Sequence, residues 1–478
     1  MSASNGRTAA PEEFAAPAEA AAPPPHHRPG IILAVIVGCQ LMIGLDTSVV
    51  TIALPQIRDG LGLSTGGLAW IQNSYMLAFG GLLLLGGRAG DVFGRRRTFT
   101  AGIGLFTAAS LAGGLATEGW WLLAARVAQG VSAAIAAPSA MALIATNFQG
   151  GARVRALSVF SAVTGAGAAL GMLAGGVLTE ASWRWVFFVN VPFGVVLAML
   201  APRILTETRR RSGRFDVAGA VASTAGMTAL VYALIRVGSD GWGDGRALAG
   251  FAAAAVLLAG FAAVERRAGE PVLPLWLLTG RDRAASYLTQ FLLVAAMFGA
   301  YFFLTQYLQQ VLGYGPLRAG AAFLPMVVMQ FATVRAVPRV LPRLGARTLV
   351  VAGTALVAIG LLWLSGLSPE DGYASGLLGP FVLVGAGGGI SIMPLNATIL
   401  GSVEPEQSGA ASGVAQTMLW TGGSLGSAVL VTVHGSAVPD GAVPGGAVVE
   451  GMTAAFAAGA VFAAAALLVA LFVLRVRR

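Results

Sequence analysis

The sequence predicts an all-α polytopic membrane protein with about fourteen transmembrane helices. Three observations carry that expectation. Of the 478 residues, 56% are hydrophobic and 11% charged, and the mean hydropathy is +0.77; soluble domains are far more polar. Apolar runs of about 20 residues, long enough to cross the hydrocarbon layer of a bilayer, recur along the chain. The arginines gather in alternate gaps between those runs, which is a topology signal.

Taken in order, the segment 1–30 is rich in Ala and Pro, carries acids, and has no apolar core. It predicts a disordered cytoplasmic tail. A cleaved signal peptide is not expected, because the first apolar run starts too far in and is too long. His26 and His27 belong to this tail and read as solvated spacer. Spans are predicted at 31–54, 68–87, 98–117, 120–144, 156–178, 185–205 and 217–236, then at 247–264, 286–308, 319–337, 348–367, 376–400, 410–433 and 451–474.

All thirty cationic residues are arginine. Arg88, Arg95, Arg96 and Arg97 follow span 2, Arg153 and Arg155 follow span 4, and Arg209, Arg210, Arg211 and Arg214 follow span 6. The same side collects Arg266, Arg267, Arg281 and Arg283, then Arg339, Arg343 and Arg347, and finally Arg475, Arg477 and Arg478. Alternate gaps hold acids such as Asp59, Glu118, Asp240, Asp244 and Glu370. The rule that positive loops stay inside therefore predicts a multi-pass plasma-membrane protein with both termini cytoplasmic. The gap after span 12, with Glu404 and Glu406 and no arginine, departs from the pattern, but the sum sets the topology. The net charge of +9 is spread over these gaps and forms no nucleic-acid patch. The single cysteine, Cys39, sits in an apolar run and reads as packing.

Asp46 is the only acid within any predicted span, and Arg126 the only arginine far from a span end. A carboxylate near the bilayer centre costs roughly 2.5–3.5 kcal/mol even on the insertion scale, so Asp46 in "QLMIGLDTSVVTIALP" needs a task or a partner. Arg126, in "LLAARVAQGVSAAIAAP", stays charged and must meet an anion, carbonyls or water. Counting from Pro55 and from Trp120 at 1.5 Å per residue puts Asp46 about 13 Å and Arg126 about 9 Å from the same membrane face. They are expected to meet, either as a proton-coupling switch or as a clasp that only fixes helix packing.

Several stretches resemble the major facilitator superfamily. Gly87, Gly90, Asp91, Gly94, Arg95 and Arg96 in "GGRAGDVFGRRRTF" match the spacing of its loop signature. There the resemblance implies a charge-paired brace that gates the conformational change. "LDTSVVTIALP" and the R-x-x-Q-G of Arg126, Gln129 and Gly130 resemble motifs of the fourteen-helix drug:proton antiporter (multidrug efflux) branch, of actinobacterial type. In that branch they imply proton-coupled switching through Asp46 and Arg126. "GAGAALGMLAGGVL" sets Gly167, Gly171 and Gly175 on one flat helix face, with Gly176 beside them. It resembles a helix-packing hinge, although Met172 stands where the family has proline. "WRWVFFVNVPFG", first an interfacial anchor, also resembles this branch, as do "YLQQVLGYGPLRAGAAFLP" and "EPEQSGAASGVAQTMLWTGGSLGSA".

The resemblance implies the major facilitator fold: two six-helix bundles at 31–205 and 286–474, two extra central helices within 206–285, and a basic cytoplasmic end at 475–478. A short echo between "DVFGRRR" and "PRLGAR" agrees with two related halves. It also implies a transporter that exports small hydrophobic drugs or antibiotics by alternating access, driven by the proton gradient without a cofactor and working as a monomer. A substrate pocket is expected from Gln290, Phe298, Tyr301, Met326, Gln330, Asn396, Gln416 and Trp420, an apolar and amide-bearing set fit for a neutral or weakly charged compound. No metal site or enzyme signature is present: "GAGGGI" at 385–390 lies inside a span and lacks the Lys-Ser/Thr sequel of a nucleotide loop. Proton-coupled import of a metabolite and a non-transporting membrane sensor are the alternatives.

Overall fold

The computed structural model describes residues 29–208, 217–266, 275–404, 407–438 and 446–474. The expected tail up to residue 28 and the basic end 475–478 lie outside the described residues, as do Arg209, Arg210, Arg211, Arg214 and Arg267.

Every regular element among the described residues is helical. α1 (Pro29–Leu61), α2 (Thr65–Phe93), α3 (Arg95–Gly114), α4 (Gly119–Asn147) and α5 (Gly150–Ala181) follow one another with short turns. α6 (Trp185–Phe188) runs into α7 (Asn190–Ile204), and α8 (Val217–Asp240) and α9 (Gly245–Glu265) come next. α10 (Arg281–Gln306) ends in a π-helical turn, Tyr307–Val311. α11 (Pro316–Ala322), α12 (Leu324–Leu364), α13 (Leu378–Leu400), α14 (Ser408–Ala437) and α15 (Gly446–Phe472) complete the chain.

Two sequence boundaries need correction. Pro55 does not end α1, which continues to Leu61; proline lacks an N–H, but its own carbonyl and flanking residues let the helix carry on. The glycine-rich stretch from Gly86 to Asp91 is not a loop but the last turns of α2, and the connection to α3 is Gly94 alone, at φ +98°. Only glycine occupies that region without strain. Gly345 does the same inside α12, where φ 78° and ψ 158° break one long helix into two.

Ten helical stretches among the described residues are long and apolar enough to cross a membrane, Pro316–Leu364 counting as one. Their outward faces carry large apolar side chains, among them Leu248 and Val256 on α9, Leu362 and Trp363 on α12 and Phe472 on α15. Lipid, not water, is the solvent such faces require.

Within the first part of the chain α1 packs on α5, α2 and α3 on α4, and α3 on α7. In the last part α10 packs on α14 and α15, and α12 on α13 and α15. These two sets meet where α2 lies against α14 and α5 against α11, while α8 leans on α2 and α14 and carries α9.

Candidate functional site: a buried ion pair and an aromatic cluster

Asp46 and Arg126 meet. The Arg126 Nη1 donates to Asp46 Oδ2 at 2.5 Å, and each residue is only 1% exposed. The second carboxylate oxygen, Oδ1, accepts from Gln129 Nε2 and from Asn190 Nδ2, both at 2.9 Å. Gln129 closes the ring: its Oε1 accepts from Arg126 Nη1 at 2.9 Å, and its Nε2 also donates to Ser110 Oγ at 2.8 Å. Arg126 Nε donates to the Ile71 carbonyl at 3.2 Å, and its Cζ lies 4.3 Å from the centroid of the Tyr75 ring. Five helices, α1, α2, α3, α4 and α7, thus contribute to one buried polar knot.

A buried ion pair survives only when its remaining donors and acceptors are satisfied, because desolvation of each ion costs several kcal/mol. Here both carboxylate oxygens are engaged. Removing either charged partner would leave the other stranded in the interior. The spacing Arg126 to Gln129 puts both side chains on one face of α4, so the R-x-x-Q pattern is the local cause of the ring. Gly130 follows because a Cβ there would lie 2.5 Å from the Tyr75 carbonyl oxygen; α4 and α2 approach too closely for a side chain. Ser110, Asn190 and Tyr75 were not selected from sequence. Asn190 had the only visible signal, a lone amide in the apolar run "FFVNVPFG".

The glycine face of α5 packs on α1 around the carboxylate. A Cβ at Gly167 would sit 3.5 Å from Gly44 Cα, at Gly171 2.7 Å from Ser48 Cβ and 2.9 Å from Leu45 O, and at Gly175 3.0 Å from Val49 Cα. Gly176 turns to the other set of helices, with a Cβ position 2.9 Å from Leu317 Cα in α11. Across the same crossing, a Cβ at Gly320 would meet the Met172 carbonyl oxygen at 2.5 Å. Met172, in the place of the expected proline, lies buried at this contact. Gln309 Nε2, in the π-helical turn, donates to the Ile52 carbonyl at 2.8 Å, a further link between the two sets.

At the α2–α3 junction Arg95 Nη2 donates to Asp91 Oδ1 at 2.6 Å. Gly90 leaves room for the Arg95 side chain, and Gly87 faces Pro138. Glu207, which nothing in its local sequence marks, lies within 3.6 Å of Arg96 and 3.8 Å of Arg97 and accepts from the Arg96 backbone N–H at 3.0 Å. It fixes the start of α3, where an acid also complements the helix dipole. The "WRWVFF" stretch also departs from a simple anchor: Trp183 is buried, and Arg184 donates to the carbonyls of Gly114 and Ala116 at the end of α3.

Of the expected pocket residues, Phe298, Tyr301 and Trp420 come together. Trp420 packs against Phe79 with centroids 4.5 Å apart and planes tilted by 35°, and lies 6.2 Å from Phe298, itself 6.1 Å from Tyr301. Met326 is buried, its carbonyl oxygen beside Gly385, and Gln330 lies beside Gly388 and Gly389. Gln290 is fully buried with neither amide atom hydrogen-bonded. Asn396 is half-buried and Gln416 exposed, and the ring contacts of the cluster do not include them. Among the described residues no three His, Cys, Asp or Glu side chains gather to hold a metal ion.

Comparison with known proteins follows the same lines. The family model described as Major Facilitator Superfamily matches residues 36–427. The cephamycin export protein CmcT of Amycolatopsis lactamdurans is 42% identical over 412 residues, covering 84% of this chain and 85% of that protein. The puromycin resistance protein pur8 of Streptomyces alboniger is 43% identical over 410 residues, covering 84% and 81%. Among solved structures, the POT family transporter PepTSo superposes with a TM-score of 0.66 at 14% identity, covering 93% of this chain and 98% of that one. The inward-open xylose transporter XylE of E. coli gives 0.61 at 14% identity, covering 94% and 97%.

Proposed function

This chain belongs to the major facilitator superfamily, and from that premise we propose that it exports small hydrophobic compounds of the antibiotic type by exchanging them for protons. It is a membrane transporter, not an enzyme. Relatives named for cephamycin export and puromycin resistance support the export direction. In this reading the chain crosses the plasma membrane fourteen times: α1 to α5, α6 with α7, α8, α9, α10, α11 with α12 up to Gly345, the remainder of α12, and α13 to α15. Both termini are cytoplasmic, α1 to α7 and α10 to α15 form the two moving bundles, and α8 and α9 lie between them.

The observation that carries the coupling is the closed ring of Asp46, Arg126 and Gln129, with Asn190 donating to the same carboxylate, in a buried interior. With Asp46 charged, the pair is neutral and holds α1, α4 and α7 together. A proton arriving from outside removes the carboxylate charge, leaves Arg126 facing only dipoles and an aromatic ring, and loosens α1 from α4 and α7. That difference is what a proton needs in order to bias one access state over the other. The expected substrate is neutral or weakly charged, because α10 to α15 carry acids only near their ends, at Asp282 and Glu450.

Inverted vesicles with an acid interior test the reading. Wild type should accumulate drug in a gradient-dependent manner. Asp46→Asn should lose gradient-driven accumulation while keeping drug binding; full retention of driven transport by that variant would refute the coupling role. Import as the physiological direction, which Met172 in place of the expected proline leaves open, would appear as gradient-driven efflux from the same vesicles.

A further inference from the structure

The ion-pair ring and the aromatic cluster share one side chain. Tyr75 on α2 is fully buried, with the Arg126 guanidinium over its ring at 4.3 Å. The same ring stands edge-to-face to Trp420 of α14, with centroids 6.1 Å apart at 79°, and to Phe79 at 5.8 Å and 70°. Trp420 continues to Phe298 on α10. A contiguous line of contacts therefore runs from the α1 carboxylate through the α4 guanidinium and the α2 ring to aromatic rings of the other helix set.

The backbone of Tyr75 is held against α4 at Gly130, so the ring answers to its neighbours and not to a sliding helix. One buried donor in this region, Trp420 Nε1, has no hydrogen-bond partner, while the Tyr75 hydroxyl has the Thr47 side chain of α1 beside it. Buried donors are ordinarily paired, and a ligand acceptor is one way to pair them. The charged or titratable groups acting on Tyr75 are Asp46 and Cys39 from α1 and Arg126 from α4.

We propose that Tyr75 is the positioning residue that couples the protonation of Asp46 to occupancy of the Trp420 cluster by an uncharged aromatic substrate bearing a hydrogen-bond acceptor. The proposal rests on the proton-coupled reading above. When Asp46 is charged, Arg126 is shared between the carboxylate and the ring. When Asp46 is neutral, the guanidinium leans on what remains, and the ring face of Tyr75 is its largest electron-rich neighbour. That holds the ring with its edge toward Trp420. A flat substrate entering beside Trp420 needs the ring to turn, which weakens its hold on Arg126 and favours return of the charge on Asp46. Substrate and proton then exclude one another, each weakening the other by the same factor.

The test uses the purified full-length chain in detergent with Nile red, a neutral aromatic dye with a carbonyl acceptor. Binding is followed by fluorescence and proton release by a pH indicator in weak buffer. Wild type should release protons as dye binds and should bind more weakly as pH falls. Tyr75→Phe, which keeps the ring, should release as wild type does. Tyr75→Leu should still bind dye, but the change of affinity with pH, about fivefold or more in wild type as for ordinary coupling, should vanish, and the proton release with it. Wild-type release by Tyr75→Leu would show that the ring only packs. If that variant does not fold, Trp420→Leu cuts the same line from the other set of helices, and wild-type release per bound dye there overturns the proposal. Failure of wild type to bind Nile red overturns the ligand class. Asp46→Asn separates the two levels: proton release surviving in that variant overturns the coupling role of Asp46 itself, whereas release lost there but kept in Tyr75→Leu overturns only the role of the ring.

Discussion

A single carboxylate shows how much one residue can demand of a fold. Asp46 is 1% exposed and receives three hydrogen bonds, from Arg126, Gln129 and Asn190, drawn from α4 and α7. Together they satisfy both oxygens of a buried carboxylate. Asn190→Leu removes one of them without touching the charge pair, so driven export should fall by about tenfold, the size of a hydrogen bond to a charged group. Transport rates of the variant check this, and a wild-type rate would remove Asn190 from the coupling site. At this scale the sequence was unusually informative about charge and uninformative about neutral partners. An acid and an arginine in apolar runs stand out by their cost. Tyr75 and Ser110 do not, because an aromatic ring or a hydroxyl in a membrane helix has many ordinary uses, and only the approach of α2 and α3 to α4 gives them this one.

Glycines decide how the helices meet. Gly167 and Gly175 bring α5 onto α1 on either side of the Asp46 turn, and Gly176 and Gly320 make the α5–α11 crossing between the two helix sets. With Met172 O only 2.5 Å from a Cβ at position 320, Gly320→Val must push the crossing apart. Overpacking of this kind costs about 1–3 kcal/mol. If the crossing opens and closes in the transport cycle, the variant should shift the population toward the open arrangement by roughly fivefold or more. Spin labels on α5 and α11 should report longer distances, and driven transport should fall, while a variant with wild-type distances and rates would make this crossing a static contact. The small-residue face on α5 was legible from its four-residue spacing. The partner of each glycine was not, since one helix face looks the same whether it meets α1 or α11. Helix ends were the least legible. A glycine-rich, arginine-rich stretch suggests a loop, yet α2 continues through Gly86, Gly87 and Gly90 because close packing on α4 and room for the Arg95 side chain favour small residues there.

For the whole molecule, the arginine distribution is the strongest global signal. Arg88, Arg95 to Arg97, Arg153 and Arg155 fall near one end of the first helix set, and Arg281, Arg283, Arg343 and Arg347 near the corresponding end of the second. If that end is cytoplasmic, green fluorescent protein should fluoresce when fused at either terminus, and alkaline phosphatase should be inactive at both. Phosphatase activity at either end would invert or break the proposed topology. The two sets are joined through α2 with α14 and α5 with α11, and by polar links such as Gln309 to Ile52. Glycines at this boundary, Gly176 and Gly320 among them, let the backbones of the two sets approach closely.

Composition, span periodicity and arginine placement determined from sequence alone that this chain is helical and lives in a membrane, because burying backbone in lipid allows few other solutions. The intramembrane charges likewise stand out in the sequence, at matching depth in their spans. Only the tertiary structure decided what those charges do with their neighbours. It gave Asp46 its two amide donors, placed the Tyr75 ring beneath Arg126 and against Trp420, and set Glu207 at the start of α3. Those contacts join residues 75 to 420 and 46 to 190, and separations of that length leave no periodicity in a sequence from which they could be read.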